Sequence, residues 1–503
     1  MNIAKNLERA GFFFPDRPAV SEGETVTSYG QLNHQSNQVA SALTRMGIRP
    51  GDHVGLCAPN SAGWLAFYFG VIKAGGVAVA LSSLLKKDEL ELLLHHARPK
   101  ILFTFDEKLD DLTEQRGSGG LETVISRGGD LDFHKLLEKG DSSFKTLDRD
   151  RSDTAAILYT GGTTGIPKGV MLSHENINAA IHTVVFNERS RPEDRALCFL
   201  PFNHVFGQMH IMNATILSAG CLELMPGFDM DRVLELLTAG RVTKFYAVPT
   251  IYVRLLSLNR LKERLGSVNY CFSAAASMAA ELVRQWKDRT DLAIYEGYGM
   301  TEAAPTVTYN HYYRHVIGSV GTEVPGVEIQ IRDQSGNRLE FGKEGEICVR
   351  GPNIMRGYLD NPEGTEAAFW KGGWFRSGDI GVFDDDGYLY IVDRLKDMII
   401  TGGENVYPKE VEDVLYTREE VEECAVIGIP DPEWGERVCA FIIPRPRKTF
   451  DKEKIRTYLK SRLSSFKVPK EYRVVKDLPR SPAGKVLKRE LRKEILEDLP
   501  EKS

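Results

Sequence analysis

A glycine- and threonine-rich stretch at residues 159–169, Tyr-Thr-Gly-Gly-Thr-Thr-Gly-Ile-Pro-Lys-Gly, constrains the fold of this chain more than any other segment. The apolar run at 155–158 precedes it and predicts a short buried strand. Ser173 follows it and is typical of the cap of a helix that begins near Glu175. Glycines let the backbone wrap an anion, hydroxyls donate hydrogen bonds and the lysine adds charge. The stretch predicts a phosphate-binding loop, with an ordinary surface turn as the alternative.

This loop differs from a Walker A loop at two positions. Pro167 rather than glycine precedes Lys168, and Gly169 rather than serine or threonine follows it. A Walker A loop uses that hydroxyl to bind Mg²⁺, so the sequence disfavours a P-loop kinase or GTPase.

The size and charge of the chain exclude several classes of protein. At 503 residues the chain is longer than the length at which a single hydrophobic core stops growing, so two or more domains are expected. Apolar residues make up 42% and charged residues 27%, as in ordinary soluble globular proteins. A net charge of -6 gives no reason to expect a nucleic acid or an anionic membrane as partner.

Cysteine spacing and hydropathy predict a cytoplasmic protein. The seven cysteines are scattered without a Cys-x-x-Cys motif, which disfavours structural zinc and favours a reducing compartment. The N-terminus lacks the apolar core of a signal peptide. The most apolar stretch, 64–81, is interrupted by Lys73 and by two glycines, so we expect a buried core segment and no membrane span.

Hydrophobic patterning divides the chain into four kinds of segment. From 27 to 105, and again from 154 to 317, helical and strand-like runs alternate, which predicts a mainly parallel sheet with both faces covered. Residues 106–150 are polar and glycine-rich, and we expect a surface connection there. Beyond Gly318, short alternating runs at 327–332, 345–350 and 387–392 predict a small β-rich subdomain. After Asp393 we expect a compact α+β unit with helices near 408–416 and 451–463.

Five further motifs accompany the loop. They are Pro-Phe-Asn-His-Val-Phe-Gly at 201–207, Ser-Ala-Ala-Ala-Ser at 273–277, Tyr-Gly-Met-Thr-Glu at 298–302, Trp-Phe-Arg-Ser-Gly-Asp at 374–379 followed by Asp-Arg-Leu-Lys-Asp at 393–397, and Pro-Ala-Gly-Lys at 482–485. Each has an ordinary structural explanation. His204 would more often be a hydrogen-bonded core histidine, the alanines could serve tight packing, Glu302 and Asp379 could cap helices, and Lys485 could be a solvated cation.

Taken together and in this order, the motifs resemble those of the adenylate-forming superfamily, which comprises acyl-CoA synthetases, non-ribosomal peptide adenylation domains and beetle luciferases. The resemblance extends from about Tyr29 to Leu491. The sequence around His204 is most similar to the corresponding segment of bacterial fatty acyl-CoA ligases. It implies an α/β fold in which a large N-terminal domain (1–395) of αβ sheet subdomains and a β-rich subdomain precedes a small, mobile α+β lid (396–503). The family hinge falls on Lys396.

The resemblance implies a site for ATP and Mg²⁺. The phosphates would lie on Thr160, Gly161, Gly162, Thr163, Thr164, Gly165 and Lys168. Glu302 would bind Mg²⁺ and Thr301 the α-phosphate, while Asp379 would accept the ribose hydroxyls beside Arg394. Adenine would lie between Tyr298, with Gly297, Gly299 and Met300 around it, and the backbone of Ala274, Ala275 and Ala276. Lys485 would bridge the carboxylate and the α-phosphate, where negative charge accumulates.

The resemblance also implies a second half-reaction with coenzyme A, reached by rotation of the lid. Gly402 and Gly403 match the turn that lines the pantetheine tunnel, although a plain hairpin turn is the simpler explanation of two adjacent glycines. Trp434, Phe466 and Lys470 match coenzyme A contacts. The chain departs from the family pattern at Gly161, where serine is usual, and at 274–277, where Gly-Gly-Ala-Pro is usual.

The acid-binding segments are mostly small or apolar. They include Phe202, His204, Val205, Gly207, residues 209–215, the three alanines, Met300 and residues 303–306. No aspartate is placed for an amino-acid ammonium, and these stretches contain no lysine or arginine for a second carboxylate. The resemblance to bacterial fatty acyl-CoA ligases implies a medium- or long-chain fatty acid as the substrate, and an aryl acid such as benzoate, which would fit the same polarity, is the alternative.

Two further hypotheses stay open. An adenylating enzyme could load a carrier protein instead of coenzyme A, and a nucleotide-binding protein could share the motifs without catalysis. The presence of Lys168, Glu302, Asp379 and Lys485 argues against a non-catalytic binding protein. Such a protein would not need a lysine that stabilises a transition state. The sequence leaves the oligomeric state open, a homodimer included.

Overall fold

The computed structural model describes residues 1–112, 120–160, 167–480 and 486–498. Six of the predicted site residues lie outside these ranges: Gly161, Gly162, Thr163, Thr164, Gly165 and Lys485. Within the described ranges, no helix has the length and apolar character needed to cross a membrane.

One seven-stranded sheet is built from an N-terminal hairpin and the strands between 195 and 296. Its strands are β1 (Pro18–Glu22), β2 (Thr25–Ser28), β9 (Arg195–Cys198), β10 (Cys221–Leu224), β11 (Lys244–Ala247), β12 (Tyr270–Ser273) and β13 (Ile294–Glu296). They lie in the order β13-β12-β11-β9-β10-β1-β2, and only β2 runs antiparallel to its neighbour. The parallel part has the αβ alternation that the sequence predicts.

A second seven-stranded sheet carries the predicted phosphate-binding loop. Its strands are β3 (His53–Cys57), β4 (Val77–Ala80), β5 (Ile101–Thr104), β6 (Thr123–Ile125), β7 (Thr154–Thr160), β8 (Lys168–Ser173) and β18 (Gly357–Tyr358), in the order β18-β8-β7-β4-β3-β5-β6. Strands β3 to β7 are parallel, whereas β8 is antiparallel to both β7 and β18. The loop therefore connects two antiparallel neighbours.

Helices cover these two sheets. They are α1 (Lys5–Phe13), α2 (Tyr29–Arg45), α3 (Ala62–Lys73), α4 (Lys87–Ala97), α5 (Phe133–Lys139), α6 (His174–Asn187), α7 (Ala214–Ser218), α8 (Met230–Thr238), α9 (Pro249–Leu256), α10 (Leu261–Arg264) and α11 (Ala280–Thr290). The predicted cap at Ser173 is confirmed, because its hydroxyl accepts the Asn176 N–H at the start of α6. Helix α3 is buried almost throughout, as expected for a core segment.

The prediction of a plain surface connection at 106–150 is wrong in part. Strand β6 pairs with β5 at the edge of the second sheet, and Val124 and Ile125 are fully buried. Helix α5 follows and buries Leu136. A three-residue strand with only two apolar residues, within a polar, glycine-rich stretch, is too short to be revealed by periodicity.

The predicted β-rich subdomain is confirmed. Its antiparallel sheet contains β16 (Glu328–Arg332), β17 (Gly345–Arg350), β19 (Phe369–Trp370), β20 (Trp374–Phe383) and β21 (Leu389–Arg394). A short hairpin of β14 (Thr308–Tyr309) and β15 (Thr322–Glu323) precedes it, and α12 (Pro362–Ala367) lies between β18 and β19.

The C-terminal part is a compact α+β unit, as predicted. Its sheet contains β22 (Ile399–Thr401), β23 (Glu404–Val406), β24 (Val421–Asp431), β25 (Gly435–Pro444) and β26 (Glu471–Val474), packed with α13 (Pro408–Tyr416), α14 (Lys452–Lys460) and α15 (Lys488–Asp498). The unit has its own apolar clusters. The chain passes from the sheet of β21 to that of β22 across residues 395–398, which include Lys396. The boundary and hinge at this point stay predictions.

Candidate active site

Thr160 and Lys168 face each other at the mouth of the predicted phosphate loop. They are register partners at the ends of β7 and β8. The Lys168 ammonium lies 4.6 Å from the ring centroid of Tyr358 on the neighbouring strand β18. The described strands therefore place Lys168 at one end of the predicted loop, with its ammonium over the Tyr358 ring.

Glu302 lies on a short 3-10 turn, Thr301–Ala303, beyond β13. Its Oε1 accepts a hydrogen bond of 3.0 Å from the Tyr358 hydroxyl, so Tyr358 contacts both Glu302 and Lys168. Burial raises the pKa of Glu302, and the Tyr358 hydrogen bond and the Lys168 charge partly offset this rise. The Met355 N–H fixes the turn by donating to the Glu302 carbonyl at 2.8 Å.

Glu302 has the ligand chemistry that Mg²⁺ prefers, since a carboxylate oxygen is a hard donor. The described residues contain no group of three His, Cys, Asp or Glu side chains placed to hold a metal ion. Mg²⁺ in phosphoryl-transfer sites keeps several waters and binds through one or two carboxylates and substrate phosphates. A lone carboxylate beside a phosphate loop fits that pattern.

The Asp379 carboxylate interacts with two side chains from different segments. Its Oδ2 accepts a 2.6 Å hydrogen bond from the Tyr298 hydroxyl, and Arg394 Nε lies 3.4 Å from its Oδ1. Asp379 and Arg394 are register partners on β20 and β21. Burial, followed by the Asp379 charge, raises the pKa of Tyr298 well above its usual value, so this phenol stays a donor.

The three alanines follow β12 directly, and the last residue of that strand, Ser273, is the register partner of Glu296, two residues before Tyr298. Ala274 and Ala275 are half-buried and pack on the main core, while Ala276 is exposed. Ala275 has a positive φ of 70°, so the chain turns sharply at this point. Gly297 packs closely against Phe272, because a Cβ at this glycine would come within 2.8 Å of the Phe272 ring. Gly299 and Met300 continue the segment toward Thr301.

His204 is half-buried and stands just before a π-helix, Phe206–Asn213. Its Nδ1 accepts the Phe206 N–H at 3.2 Å, so the neutral ring carries its proton on Nε2. π-helical turns are rare and often occur at functional sites. The histidine is thus oriented by the backbone of the segment that follows it.

Gly402 and Gly403 form the two-residue turn of the β22–β23 hairpin, with φ values of 60° and 85°. The structure therefore has the hairpin turn that we gave as the simpler explanation, and the tunnel role stays a prediction. Trp434 packs against this turn, since a Cβ at Gly402 would come within 2.7 Å of its indole ring. Lys470 Nζ lies 4.0 Å from the Trp434 ring centroid.

Lys396 and Phe466 are the predicted residues that remain. Lys396 is exposed on the segment between β21 and β22. Phe466 lies on a 3-10 turn, Ser465–Lys467, and packs against the core of the C-terminal unit. The described residues thus form three groups: Lys168 with Tyr358 and Glu302, Tyr298 with Asp379 and Arg394, and Gly402 with Trp434 and Lys470.

The sequence analysis missed Tyr358 and a buried polar cluster around His210. Tyr358 is distant in sequence from both of its partners, and its two-residue strand leaves no periodic signal. His210 falls inside the expected acid-binding segment, but its partner Glu188, and Lys244, which pairs with Glu188, come from segments that the motifs do not include.

Comparisons with known proteins identify the family. Residues 7–359 match the AMP-binding enzyme family, and residues 410–485 match the AMP-binding enzyme C-terminal domain. The chain belongs to the AMP-binding enzyme family.

Two curated relatives and one solved structure illustrate the similarity. The chain is 36% identical to a feruloyl-CoA synthase of Amycolatopsis sp over 95% of this chain and 96% of that protein. It is 32% identical to a long-chain-fatty-acid–CoA ligase of Bacillus subtilis (strain 168) over 96% of this chain and 93% of that protein. ATP-bound MatB from Rhodopseudomonas palustris superposes with a TM-score of 0.92 at 36% identity, covering 98% of this chain and 99% of that one. The chain is an AMP-forming acyl-CoA ligase, and the predicted superfamily and fold class are confirmed.

Proposed function

We propose that this enzyme activates a carboxylic acid in one site by two half-reactions. In the first, a carboxylate oxygen attacks the α-phosphorus of ATP, forming acyl-adenylate and releasing pyrophosphate. In the second, the thiol sulfur of coenzyme A attacks the acyl carbon, and AMP leaves. Both steps bring negative charges together, so the residues that neutralise charge carry the catalysis.

The observation that carries this proposal is the contact of Tyr358 with both Lys168 and Glu302. One tyrosine thus has the Lys168 ammonium over its ring and the Glu302 carboxylate on its hydroxyl, next to the strand end from which the predicted phosphate loop leaves. The ammonium suits the β- and γ-phosphates, and Glu302 would hold Mg²⁺, which neutralises phosphate charge when bound. Thr301, next to Glu302 on the same turn, would donate to the α-phosphate.

The nucleoside would lie on the second group. The Asp379 carboxylate is a natural acceptor for two ribose hydroxyls, and Tyr298 and Arg394 hold it in place. Tyr298 and the alanine segment at 274–276 would enclose the adenine. The acid would approach from the side of His204, at the start of the π-helix.

Lys485 and the lid would separate the two half-reactions. Lys485 would bridge the carboxylate and the α-phosphate during adenylation and then withdraw as the lid turns about Lys396. The turn at Gly402 and Gly403 would next line the pantetheine tunnel, and Trp434 and Lys470 would bind coenzyme A. The Trp434–Lys470 contact supports this pairing, because an aromatic face beside a cation suits both the pantetheine arm and the phosphates.

Two acid classes are consistent with the family, and each has a relative that supports it. The Bacillus subtilis relative acts on long-chain fatty acids, and the Amycolatopsis relative is a feruloyl-CoA synthase. A cytoplasmic location is part of the proposal, supported by seven buried cysteines that are all free thiols.

The test is release of AMP and pyrophosphate from ATP with a panel of fatty and aromatic acids, with and without coenzyme A. We expect AMP release that requires both an acid and coenzyme A. Acid-dependent pyrophosphate release that coenzyme A does not stimulate would favour loading of a carrier protein. Nucleotide binding without turnover on any acid would contradict the proposal and favour a non-catalytic binding protein.

A further inference from the structure

We propose that Tyr358 is a positioning residue of the ATP site, which keeps the Lys168 ammonium and the Glu302 carboxylate from pairing with each other, so that both charges stay available for ATP and Mg²⁺. This role rests on the proposed function, because it concerns the same site. It adds to that function a residue that none of the recognised motifs contains.

Tyr358 offers each charged group a different part of its side chain. Its hydroxyl donates a 3.0 Å hydrogen bond to Glu302 Oε1. The Lys168 ammonium lies 4.6 Å from the centroid of its ring. The face of an aromatic ring is electrically negative and attracts a cation, whereas the phenol O–H is a donor and suits an anion. One tyrosine therefore satisfies both charges without bringing them into contact.

The two charged groups are close enough to attract each other. The Lys168 charge lowers the pKa of Glu302, so the groups interact through space. In the described part of the chain, however, Lys168 forms no ion pair with Glu302 or with another carboxylate. Both side chains are half-buried, where an ion pair is stronger than in bulk water. A direct pair would have to break before either group could bind the phosphates or a metal ion, and this cost would weaken binding.

The fold fixes Tyr358 from two sides. Strand β18 pairs with β8, and Tyr358 is the register partner of Val170, two residues after Lys168. On the other side, the Tyr358 N–H donates to Thr365 Oγ1 of α12 at 2.9 Å. Tyr358 is only 6% exposed. The ring is therefore held in place beside Lys168 and Glu302 before any ligand binds.

Two substitutions separate the two contacts. Tyr358→Phe removes the hydroxyl and keeps the ring, so Glu302 loses its donor while Lys168 keeps its place. We expect this change to reduce the Mg²⁺-dependent part of ATP binding, because Glu302 is no longer oriented. Tyr358→Leu also removes the ring. We then expect Lys168 to pair with Glu302, which weakens ATP binding even without a metal ion.

Calorimetric titration of ATP, once with excess Mg²⁺ and once with EDTA, measures both effects without turnover. In the wild type we expect Mg²⁺ to tighten ATP binding by at least about tenfold. In Tyr358→Phe this gain should fall below about threefold, while the affinity for metal-free ATP stays within about threefold of the wild type. In Tyr358→Leu the affinity for metal-free ATP should fall by at least about tenfold.

Glu302→Gln tests whether Glu302 is the group that captures Lys168. Without the Glu302 charge, the ammonium has no carboxylate to pair with at this position. In the Glu302→Gln background, Tyr358→Leu should therefore cost less than about threefold in affinity for metal-free ATP. Tyr390→Phe is the matched control, because the Tyr390 hydroxyl donates to Asp384 Oδ2 at 3.2 Å in the β20–β21 hairpin. Both of its ATP affinities should match those of the wild type.

An unchanged Mg²⁺ gain in Tyr358→Phe would overturn the inference. An equal cost of Tyr358→Leu with Glu302 and with Glu302→Gln would also overturn it, since this result is expected if the ring only supports the fold. If Tyr358→Leu does not fold, the Tyr358→Phe titrations still decide. Failure of the wild type to bind ATP, or to bind it more tightly with Mg²⁺, would contradict the proposed function and this role with it.

Discussion

At the scale of single residues, Asp379 shows how the fold prepares a carboxylate for a ligand. Tyr298 contacts one oxygen and Arg394 approaches the other, so the carboxylate cannot rotate away. Its side chain is only 11% exposed, which keeps water from competing for the same oxygens. A preorganised acceptor of this kind binds hydroxyls without first losing conformational entropy.

We expect Asp379→Asn to lower kcat/KM for ATP by roughly 10- to 100-fold, because hydrogen bonds to a charged acceptor are about twice as strong as neutral ones. The amide keeps the shape and can still accept from Tyr298. The control is Asp386→Asn. Asp386 is an exposed carboxylate in the turn between β20 and β21 and pairs with Arg314, so this change should leave kcat/KM for ATP nearly the same. Equal losses in the two variants would argue against nucleotide binding by Asp379.

The residues that the sequence predicted are those whose roles belong to contiguous motifs. Lys168, Glu302, Tyr298 and Asp379 each stand in a short recognisable segment. The structure joins Tyr298 to Asp379 directly and Lys168 to Glu302 through Tyr358. Tyr358 and Glu188 could not be predicted in this way. Each acquires its role from partners brought close only by the fold, and neither stands in one of the recognised motifs.

At the scale of elements, the β22–β23 hairpin is shaped by its two glycines. Both glycines have a positive φ, which residues with a Cβ rarely adopt. The turn packs against Trp434 at Gly402 and faces open space at Gly403. In the proposed tunnel, Gly403 is therefore the position where a side chain would obstruct the thiol arm.

We expect Gly403→Leu to spare adenylation within about threefold and to slow thioester formation by roughly 100-fold, since its side chain would obstruct the tunnel. Pyrophosphate exchange and thioester formation from supplied acyl-adenylate measure the two steps separately. Gly387→Leu is the matched control, because Gly387 also has a positive φ and open space at its Cβ. If both half-reactions slow equally in Gly403→Leu, the assignment to the tunnel is wrong.

Element prediction from sequence succeeded where the periodic runs were long. Helix α3 and strands β3 to β5 follow directly from hydrophobic spacing. Strands β6 and β18 and the π-helix were not predicted. The two strands have three and two residues, and they form because a neighbouring strand offers hydrogen bonds, not because of their own pattern. The sequence of the π-helix cannot be distinguished from that of an ordinary buried α-helix.

At the scale of the whole molecule, the two parts of the chain meet at a cluster of carboxylates. The Lys409 N–H donates to Asp393 Oδ2 at 2.8 Å, and its ammonium donates to the Ile391 carbonyl, so α13 is attached to β21. Burial raises the pKa of Glu296 to about 8 and that of Asp413 to about 6, and Lys409 lowers both. Glu296 ends strand β13, two residues before Tyr298, so this cluster adjoins the proposed nucleotide site.

Glu296 should make stability depend on pH. Because its folded pKa is raised, the folded state holds this proton after the unfolded chain has lost it, so stability falls as pH rises from about 4.5 to about 8. We expect Glu296→Gln to gain about 3 kcal/mol over the wild type between pH 5.5 and 8.5, measured by denaturant unfolding. Glu281→Gln, on the surface of α11, is the control. A gain that is the same at both pH values would contradict the account.

The central claim is that one site performs two half-reactions with different residues, and Lys485 distinguishes them most directly. The measurement is the rate of each half-reaction in Lys485→Ala: pyrophosphate release from ATP and acid, and thioester formation from supplied acyl-adenylate and coenzyme A. We expect adenylation to fall by about 100-fold or more, because a charge-neutralising group is lost, while thioester formation stays within about threefold of the wild type. Equal loss in both half-reactions would contradict the account.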